Sequence, residues 1–104
     1  MKTISADACP ISKLFNFLGK KWMIILIKVL GEHEELSFTQ IQKKLDNINS
    51  RILTERLDEG VEAGYILRNV TSTKPLKIRY SVTKNGAALS KKVEELAHFA
   101  QSHS

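Results

Sequence analysis

An α+β fold that is mainly α-helical is expected from three observations. Apolar residues recur at helical spacing in five segments, which glycines and turn residues separate. Around residues 65–83 the period changes to the alternation that is typical of a two-stranded antiparallel hairpin. The third and fourth helical segments, within about 37–63, are separated only by the short turn 46–49. This order predicts a winged helix-turn-helix, whose second helix usually enters the DNA major groove.

Size and charge agree with a small nucleic-acid-binding domain. The chain has 104 residues, which fits a single domain over 1–104, and its hydrophobic content of 42% is that of a globular protein. It carries 16 basic and 11 acidic residues, and this excess permits binding to nucleic acid or to an anionic membrane. From Gly64 to Lys84 there are five basic residues and no acid. The positive field is therefore concentrated on the expected hairpin, where a solvated edge that resists aggregation is an equally good interpretation.

Nothing in the sequence indicates export or membrane insertion. The first ten residues lack an apolar stretch of signal-peptide length. The apolar run 22–27 is broken by Lys28 and is too short to span a bilayer. Cys9 is the only cysteine, so no disulfide can form within the chain. We expect a cytoplasmic protein without a membrane partner.

The first two helical segments precede the helix-turn-helix. The first is expected to begin at Cys9 and Pro10, because proline suits the first helical position, and to end at Gly19. The second covers about 21–30. Its apolar residues occupy more than one face, so this helix is expected to be central and nearly buried. Those residues are Trp22, Ile24, Ile25, Leu26, Ile27, Val29 and Leu30.

Two capping signals mark the helix-turn-helix. Ser37 and Gln40 have the spacing of a capping box, and Asn49 is placed to cap the next helix. That helix is expected to span about 50–63. The side chains that it should bury are Leu53, Leu57 and Val61. Gly60 lies in its interior at a cost of roughly 1 kcal/mol against alanine, which either close packing or a frayed last turn would explain.

The hairpin and the last helix complete the pattern. Alternation places Lys77, Arg79 and Ser81 on the side opposite to Ile78, Tyr80 and Val82. The tip is expected at residues 72–75, where a proline removes no ladder bond. Thr83 is placed to cap a helix over about 84–101. Four residues of that helix recur at heptad-like spacing and form a seam: Leu89, Val93, Leu96 and Ala100. The seam predicts a homodimer, and the alternative is packing on the first two helices of the same subunit.

Five stretches of the chain form a specific combination, although each alone is weak. They are residues 9–11 (CPI), 18–22 (LGKKW), 50–57 (SRILTERL), 64–66 (GYI) and 80–86 (YSVTKNG). Together they resemble the HxlR-type transcriptional regulators, small winged-helix proteins related to the MarR group, over about residues 8–99. The resemblance implies a homodimer joined through its first and last helices, which binds a pseudo-palindromic operator. Two positions, Gly60 and Leu76, depart from the family pattern. The resemblance therefore defines less well the end of the helix at about 50–63 and the tip of the wing.

The winged-helix prediction assigns DNA-contacting roles to particular side chains. Base contacts are expected from Ser50, Arg51, Thr54 and Glu55, at the start of the recognition helix. Contacts to the sugar-phosphate backbone of DNA are expected from Ser37, Thr39, Gln40 and Arg56. Wing contacts to phosphate or the minor groove are expected from Lys74, Lys77 and Arg79. For Arg51 the alternative is a phosphate contact or a solvated helix start, and for Arg56 it is an acid on its own helix.

Cys9 is a candidate redox sensor. A thiol at a helix start lies near the positive end of the helix dipole, which lowers its pKa and favours the thiolate. The resemblance implies the same role, since some family members sense oxidants or electrophiles through a cysteine at this position. The alternative is a buried structural cysteine. Because the chain has no second cysteine, any disulfide would join two subunits.

No combination of residues points to catalysis. Glu94 and His98 lie one helical turn apart, but two ligands do not form a metal site, and no cofactor motif is present. We therefore expect a homodimeric regulator of transcription without an obligatory cofactor, for which an oxidant or a small molecule is a candidate effector. Repression is the expected sign, because a domain of this size has little surface left for recruiting polymerase. A winged-helix module that binds protein, or a non-specific chromatin-type protein, is the alternative.

Overall fold

The computed structural model describes residues 10–103. These residues form five helices and one two-stranded sheet. In chain order the elements are α1 (Pro10–Leu18), α2 (Met23–Gly31), α3 (Phe38–Lys44), α4 (Ser50–Glu62), β1 (Ile66–Thr73), β2 (Leu76–Val82) and α5 (Lys84–His103). The mainly helical α+β class and the winged helix-turn-helix order are confirmed. No helix in this part of the chain is both long and apolar enough to cross a bilayer.

Helix α2 is the centre of the hydrophobic core. Its buried residues recur at the 3, 1, 3 spacing of a single helical face: Met23, Leu26, Ile27 and Leu30. Ile24 and Ile25 lie on the other side and are 42% and 47% exposed, so the prediction of a nearly buried helix is wrong on that side. The helix also starts at Met23, because Trp22 adopts a left-handed backbone with φ 75°.

Local capping is formed as the sequence predicts. The Ser37 hydroxyl accepts from the Gln40 backbone N–H at 3.2 Å, and the Gln40 side chain accepts from the Ser37 N–H at 2.9 Å. The Asn49 side chain accepts from the first backbone N–H groups of α4. Thr83 accepts from the Gly86 N–H at 2.9 Å and donates to the Gly64 carbonyl, so it fixes the start of α5. These caps set the entry angles of three helices.

Helix α4 ends against the hairpin. Leu53, Leu57 and Gly60 are its buried positions, whereas Val61 is 39% exposed, contrary to prediction. A Cβ at residue 60 would overlap the side chain of Ile66, which is buried in β1. Close packing therefore explains Gly60, and fraying does not. The inward position that the sequence pattern assigned to Val61 is taken by the glycine one residue earlier.

The hairpin is longer than expected and is bonded to the helix-turn-helix. β1 continues to Thr73, which pairs with Leu76, so the tip is shorter than the predicted residues 72–75. The register places Ile78, Tyr80 and Val82 on one side, as predicted. Leu36, just before α3, donates its N–H to the Tyr80 carbonyl at 2.9 Å and accepts from the Tyr80 N–H at 2.7 Å.

Helix α5 divides into two halves. Leu89 and Val93 are buried in the core of their own subunit, where α5 packs on α2. Of the predicted interface residues, Leu96 and Ala100 are the two that present exposed surface. Phe99 beside them is also exposed, as are Ile11 and Phe15 of α1. The seam thus serves intrasubunit packing in its first half, the alternative that the sequence left open.

Candidate nucleic-acid interface

The four predicted base-contacting residues lie together at the start of α4. Ser50, Arg51, Thr54 and Glu55 are all exposed. They occupy helical positions i, i+1, i+4 and i+5, which share one face of the helix, beside the buried stripe of Leu53 and Leu57. The Arg51 side chain is 86% exposed and lies 3.5 Å from a Glu55 carboxylate oxygen. An exposed ion pair of this kind is worth little, so both groups can exchange it for contacts to a ligand.

A hydrogen bond that the sequence did not reveal orients Ser50. The Gln42 amide, at the end of α3, donates to the Ser50 hydroxyl oxygen and to the Ile48 carbonyl, both at 2.9 Å. Because the hydroxyl accepts from Gln42, its own proton is available to an acceptor on a ligand. Gln42 is eight residues away across the turn, and no local motif identifies it. It holds the two helices of the helix-turn-helix in a fixed relation.

Arg56 is turned inward, which corrects its prediction as a DNA backbone contact. Its side chain is 17% exposed, and its Nη1 donates to Glu59 at 2.6 Å. Its Nε donates to the carbonyl of Lys21 at 2.8 Å, in the turn between α1 and α2. The acid on its own helix, which the sequence left as the alternative, is thus one partner. A guanidinium held on two sides contributes to the fold rather than to a ligand.

Glu59 connects the recognition helix to the α1–α2 turn. Its second carboxylate oxygen lies 2.7 Å from the Lys20 ammonium, so Lys20, Glu59 and Arg56 form one cluster, named here the Glu59 cluster. Partial burial of the carboxylate raises the pKa of Glu59, but hydrogen bonds from Lys20 and Arg56 and their positive charges outweigh it. The net result is a pKa below the ordinary value. One acid of α4 is therefore neutralised and removed from the groove-facing surface.

The start of α3 has two of its predicted contact residues engaged in the capping box. Ser37 and Gln40 satisfy each other's backbone donors. The Ser37 hydroxyl proton and the Gln40 amide N–H groups stay outside those bonds, and Thr39 beside them is exposed. This helix start can therefore still offer donors to an anion.

The hairpin presents cations without acids. Lys74 and Lys77 are exposed at and beside the tip, and Arg79 is half-buried with one N–H donating to the Ile78 carbonyl at 3.3 Å. The register pairs Lys77 with Ser72 and Arg79 with Asn69, so both cations project from the same side of the sheet. Among the described residues none of the three has an acid within ion-pair distance. Their charge is available to a polyanion.

Cys9 and the pair Glu94–His98 are the remaining residues that the sequence singled out. Cys9 lies outside the described residues. Glu94 and His98 approach to 4.0 Å on the exposed side of α5, and no group of three or more metal-ligating side chains occurs between residues 10 and 103.

A helix-turn-helix with an exposed helix start and a cationic hairpin defines a DNA-binding transcriptional regulator of the winged-helix class. The particular family follows from the sequence. Residues 17–104 match the model of the HxlR-like helix-turn-helix family, and the chain belongs to that family. The relatives described below are regulators of transcription by their descriptions.

Similar proteins are known from several bacteria. The HTH-type transcriptional regulator YvaP of Bacillus subtilis is 31% identical over 91% of this chain and 88% of its own length. YodB of the same species is 31% identical over 88% and 82%. The reduced form of YodB superposes with a TM-score of 0.76 over 88% of this chain and 90% of that one. A MarR-family protein of Porphyromonas gingivalis W83, 21% identical, shares the fold with a TM-score of 0.82 over 96% and 97%.

Proposed function

We propose that the chain is a homodimeric, sequence-specific repressor that reads the major groove with residues 50–63 and contacts backbone or minor groove with residues 72–79. The observation that carries this proposal is the exposed surface of the first two turns of α4, where Ser50, Arg51, Thr54 and Glu55 lie together outside the core. Family membership supports the DNA-binding part of it. The operator, the dimer and the sign of regulation are the parts that experiment must test.

Direct readout follows from the chemistry of these four side chains. Arg51 can donate two hydrogen bonds to guanine O6 and N7, and Glu55 can accept from cytosine N4. Ser50 has a free hydroxyl proton because its oxygen already accepts from Gln42. The acids Asp58 and Glu62 lie further along α4, about 12 Å or more from Ser50 at 1.5 Å per residue. They are thus distant from the turn that enters the groove.

Contacts to the sugar-phosphate backbone would position this helix. Ser37, Thr39 and Gln40 at the start of α3 offer hydroxyl and amide donors, and Lys74, Lys77 and Arg79 on the hairpin offer positive charge. Such contacts supply most of the salt-dependent affinity but little sequence information. Arg56 is left out of this set, because its guanidinium is held by Glu59 and Lys21.

A second copy of the chain would cover exposed apolar surface at the two ends. Ile11 and Phe15 of α1 and Leu96 and Phe99 of α5 are each about 60% exposed, which is unusual for so many large apolar side chains on one small subunit. Burying them in a symmetric interface would pair two recognition helices, as a pseudo-palindromic operator requires. Repression follows simply, since a dimer seated on its operator excludes polymerase.

An oxidant or small-molecule effector belongs to the same proposal. The regulator HypR, 28% identical, has been solved in an oxidised form, and YodB in diamide-treated and quinone-bound forms. In this chain Cys9 is the one thiol, so an oxidative response would have to pass through it. If it does, diamide treatment will change the DNA affinity of the wild type and leave that of Cys9→Ser unchanged.

Fluorescence anisotropy with labelled duplexes tests the central proposal. The purified protein is titrated against duplex DNA from its own upstream region and against a scrambled duplex, at low and physiological salt. Preference for the upstream duplex, with a steep salt slope on both, would support sequence reading with several phosphate contacts. Equal binding to both duplexes would favour a non-specific chromatin-type protein. No binding to either at low salt would refute DNA binding and favour a module that binds protein.

A further inference from the structure

A pocket opens beside the turn between α1 and α2. Its volume is about 340 Å³, at the small end of the range for ligand sites. The lining residues are Leu18, Lys20, Lys21, Trp22, Ile24 and Ile25. Ile24 and Ile25 are the side chains that the packing of α2 leaves outside the core. The exposed side of α2, which the sequence did not predict, thus forms part of the pocket wall.

The lining combines apolar and basic residues. Leucine, tryptophan and two isoleucines give apolar walls, and the two remaining lining residues are lysines; no acid lines the pocket. The Lys20 ammonium is already 2.7 Å from Glu59. The Lys21 ammonium, in contrast, has no acid within ion-pair distance among the described residues. The complement of such a site is a small molecule with a hydrocarbon body and one negative group.

The two lysines that line the pocket also hold the recognition helix. Lys20 bonds to Glu59 through its side chain, and Lys21 accepts the Arg56 Nε–H through its carbonyl at 2.8 Å. Glu59 and Arg56 belong to α4, whose first two turns carry the predicted base contacts. The Glu59 cluster is therefore a direct physical connection from the pocket to the DNA-reading element.

We propose that this pocket binds a small amphipathic monocarboxylate, whose carboxylate contacts Lys21 and Lys20 and whose hydrocarbon part packs on Trp22 and the exposed isoleucines of α2. The bound carboxylate competes with Glu59 for Lys20. The negative charge of Glu59 is then less fully compensated, and the contacts between the α1–α2 turn and α4 are weakened. Binding of the carboxylate in the pocket therefore lowers the affinity for DNA. This second effect rests on the proposed function, whereas binding in the pocket does not.

Trp22 makes the first arm of the test specific, because it is the only tryptophan in the chain and lines the pocket. Its fluorescence is followed during titration with octanoate and, separately, with octanamide, which has the same hydrocarbon chain but no charge. We expect saturable change with octanoate and much weaker change with octanamide. Lys21→Met should weaken octanoate binding by about three- to fivefold, as loss of an exposed ion pair predicts, while the matched control Lys91→Met on α5 should not.

The second arm repeats the upstream-duplex anisotropy titration with octanoate present. We expect at least about a fivefold loss of DNA affinity at saturating octanoate, and none with octanamide. Octanoate binding without any effect on a DNA affinity that is itself measurable would overturn the coupling. A protein that binds octanoate but no DNA would instead refute the proposed function while the pocket stands.

Two outcomes of the fluorescence arm would overturn the pocket assignment. Equal responses to octanoate and octanamide would show that the lysines confer no selectivity for an anion. No response to octanoate, together with Trp22 emission that changes with protein concentration, would mean that a second copy of the chain occupies the surface.

Discussion

Replacing Glu59 by glutamine removes the charge at the centre of the Glu59 cluster while keeping the size of the side chain. Two ionic contacts are weakened at once, to Lys20 at 2.7 Å and to Arg56 at 2.6 Å. The Lys20 side chain is 42% exposed, so that pair contributes about 0–1 kcal/mol. Arg56 is much less exposed, and a hydrogen bond to a charged group there is worth about 1.5–3 kcal/mol, part of which glutamine retains. We expect Glu59→Gln to lower the free energy of unfolding by about 1–2 kcal/mol at pH 7.

The same change has a defined pH dependence. The folded-state pKa of Glu59 is held below its ordinary value, so the stabilisation is fully present above the unfolded-state pKa of about 4.5 and is lost as the pH falls through the lower folded-state value. The difference in unfolding free energy between wild type and Glu59→Gln should therefore be constant near neutral pH and shrink below about pH 4.5.

Urea denaturation of both proteins at pH 7, 5.5 and 4, and at pH 3 if both remain folded, measures this difference. Protein concentration must be kept constant, because dimerisation would add to stability. Glu62→Gln is the matched control: it lies on the same helix, is exposed, and has no ion pair among the described residues, so its effect should stay within about 0.5 kcal/mol. Equal stability of Glu59→Gln and wild type at pH 7, or a stability deficit that is undiminished at the lowest pH, would refute the stabilising role of the Glu59 charge.

Three further predictions concern the packing at Gly60, the DNA contacts and the subunit interface. Gly60→Ala should lower the unfolding free energy by about 1 kcal/mol, because overpacking against Ile66 outweighs the gain in helix propensity. Adding Ile66→Val to the same chain should restore part of the lost stability. A Gly60→Ala variant that is more stable than wild type would contradict this prediction. Arg51→Ala should reduce the free energy of binding to the upstream duplex by about 1–3 kcal/mol and that to the scrambled duplex by less. Lys77→Ala should weaken binding to both duplexes equally and reduce the slope of log affinity against log salt by about one. Identical changes in the two variants would argue against separate roles for these residues. If the proposed dimer forms, Phe99→Asp should convert it to monomer in sedimentation velocity, while Val70→Asp, also at an exposed apolar position, should leave it intact.

The sequence predicted best what depends on neighbouring residues. The capping box of Ser37 and Gln40, the Asn49 cap and the alternation of β2 are local features, and all are present. Each depends on groups only a few residues apart, so a linear pattern contains the needed information.

Errors arose where the deciding partner is distant in the chain. Arg56 finds the carbonyl of Lys21, 35 residues earlier, which no helical pattern could indicate. The exposed side of α2 depends on which neighbours cover it, and apolar residues on both sides suggested burial on both. Gly60 remained ambiguous because Ile66, the residue it accommodates, belongs to another element. Leu89 and Val93 had a spacing that suits either intersubunit or intrasubunit packing.

The backbone bridge between Leu36 and Tyr80 bears on which operators the protein can accommodate. It joins the entry to α3 to the middle of β2, so the helix-turn-helix and the hairpin are hydrogen-bonded directly to each other. A hairpin that is bonded in this way cannot adapt by moving independently of the helix-turn-helix. In a dimer, tolerance to operators with different half-site separations would then have to come from the joint between subunits, and a weaker joint would read a wider range of spacings.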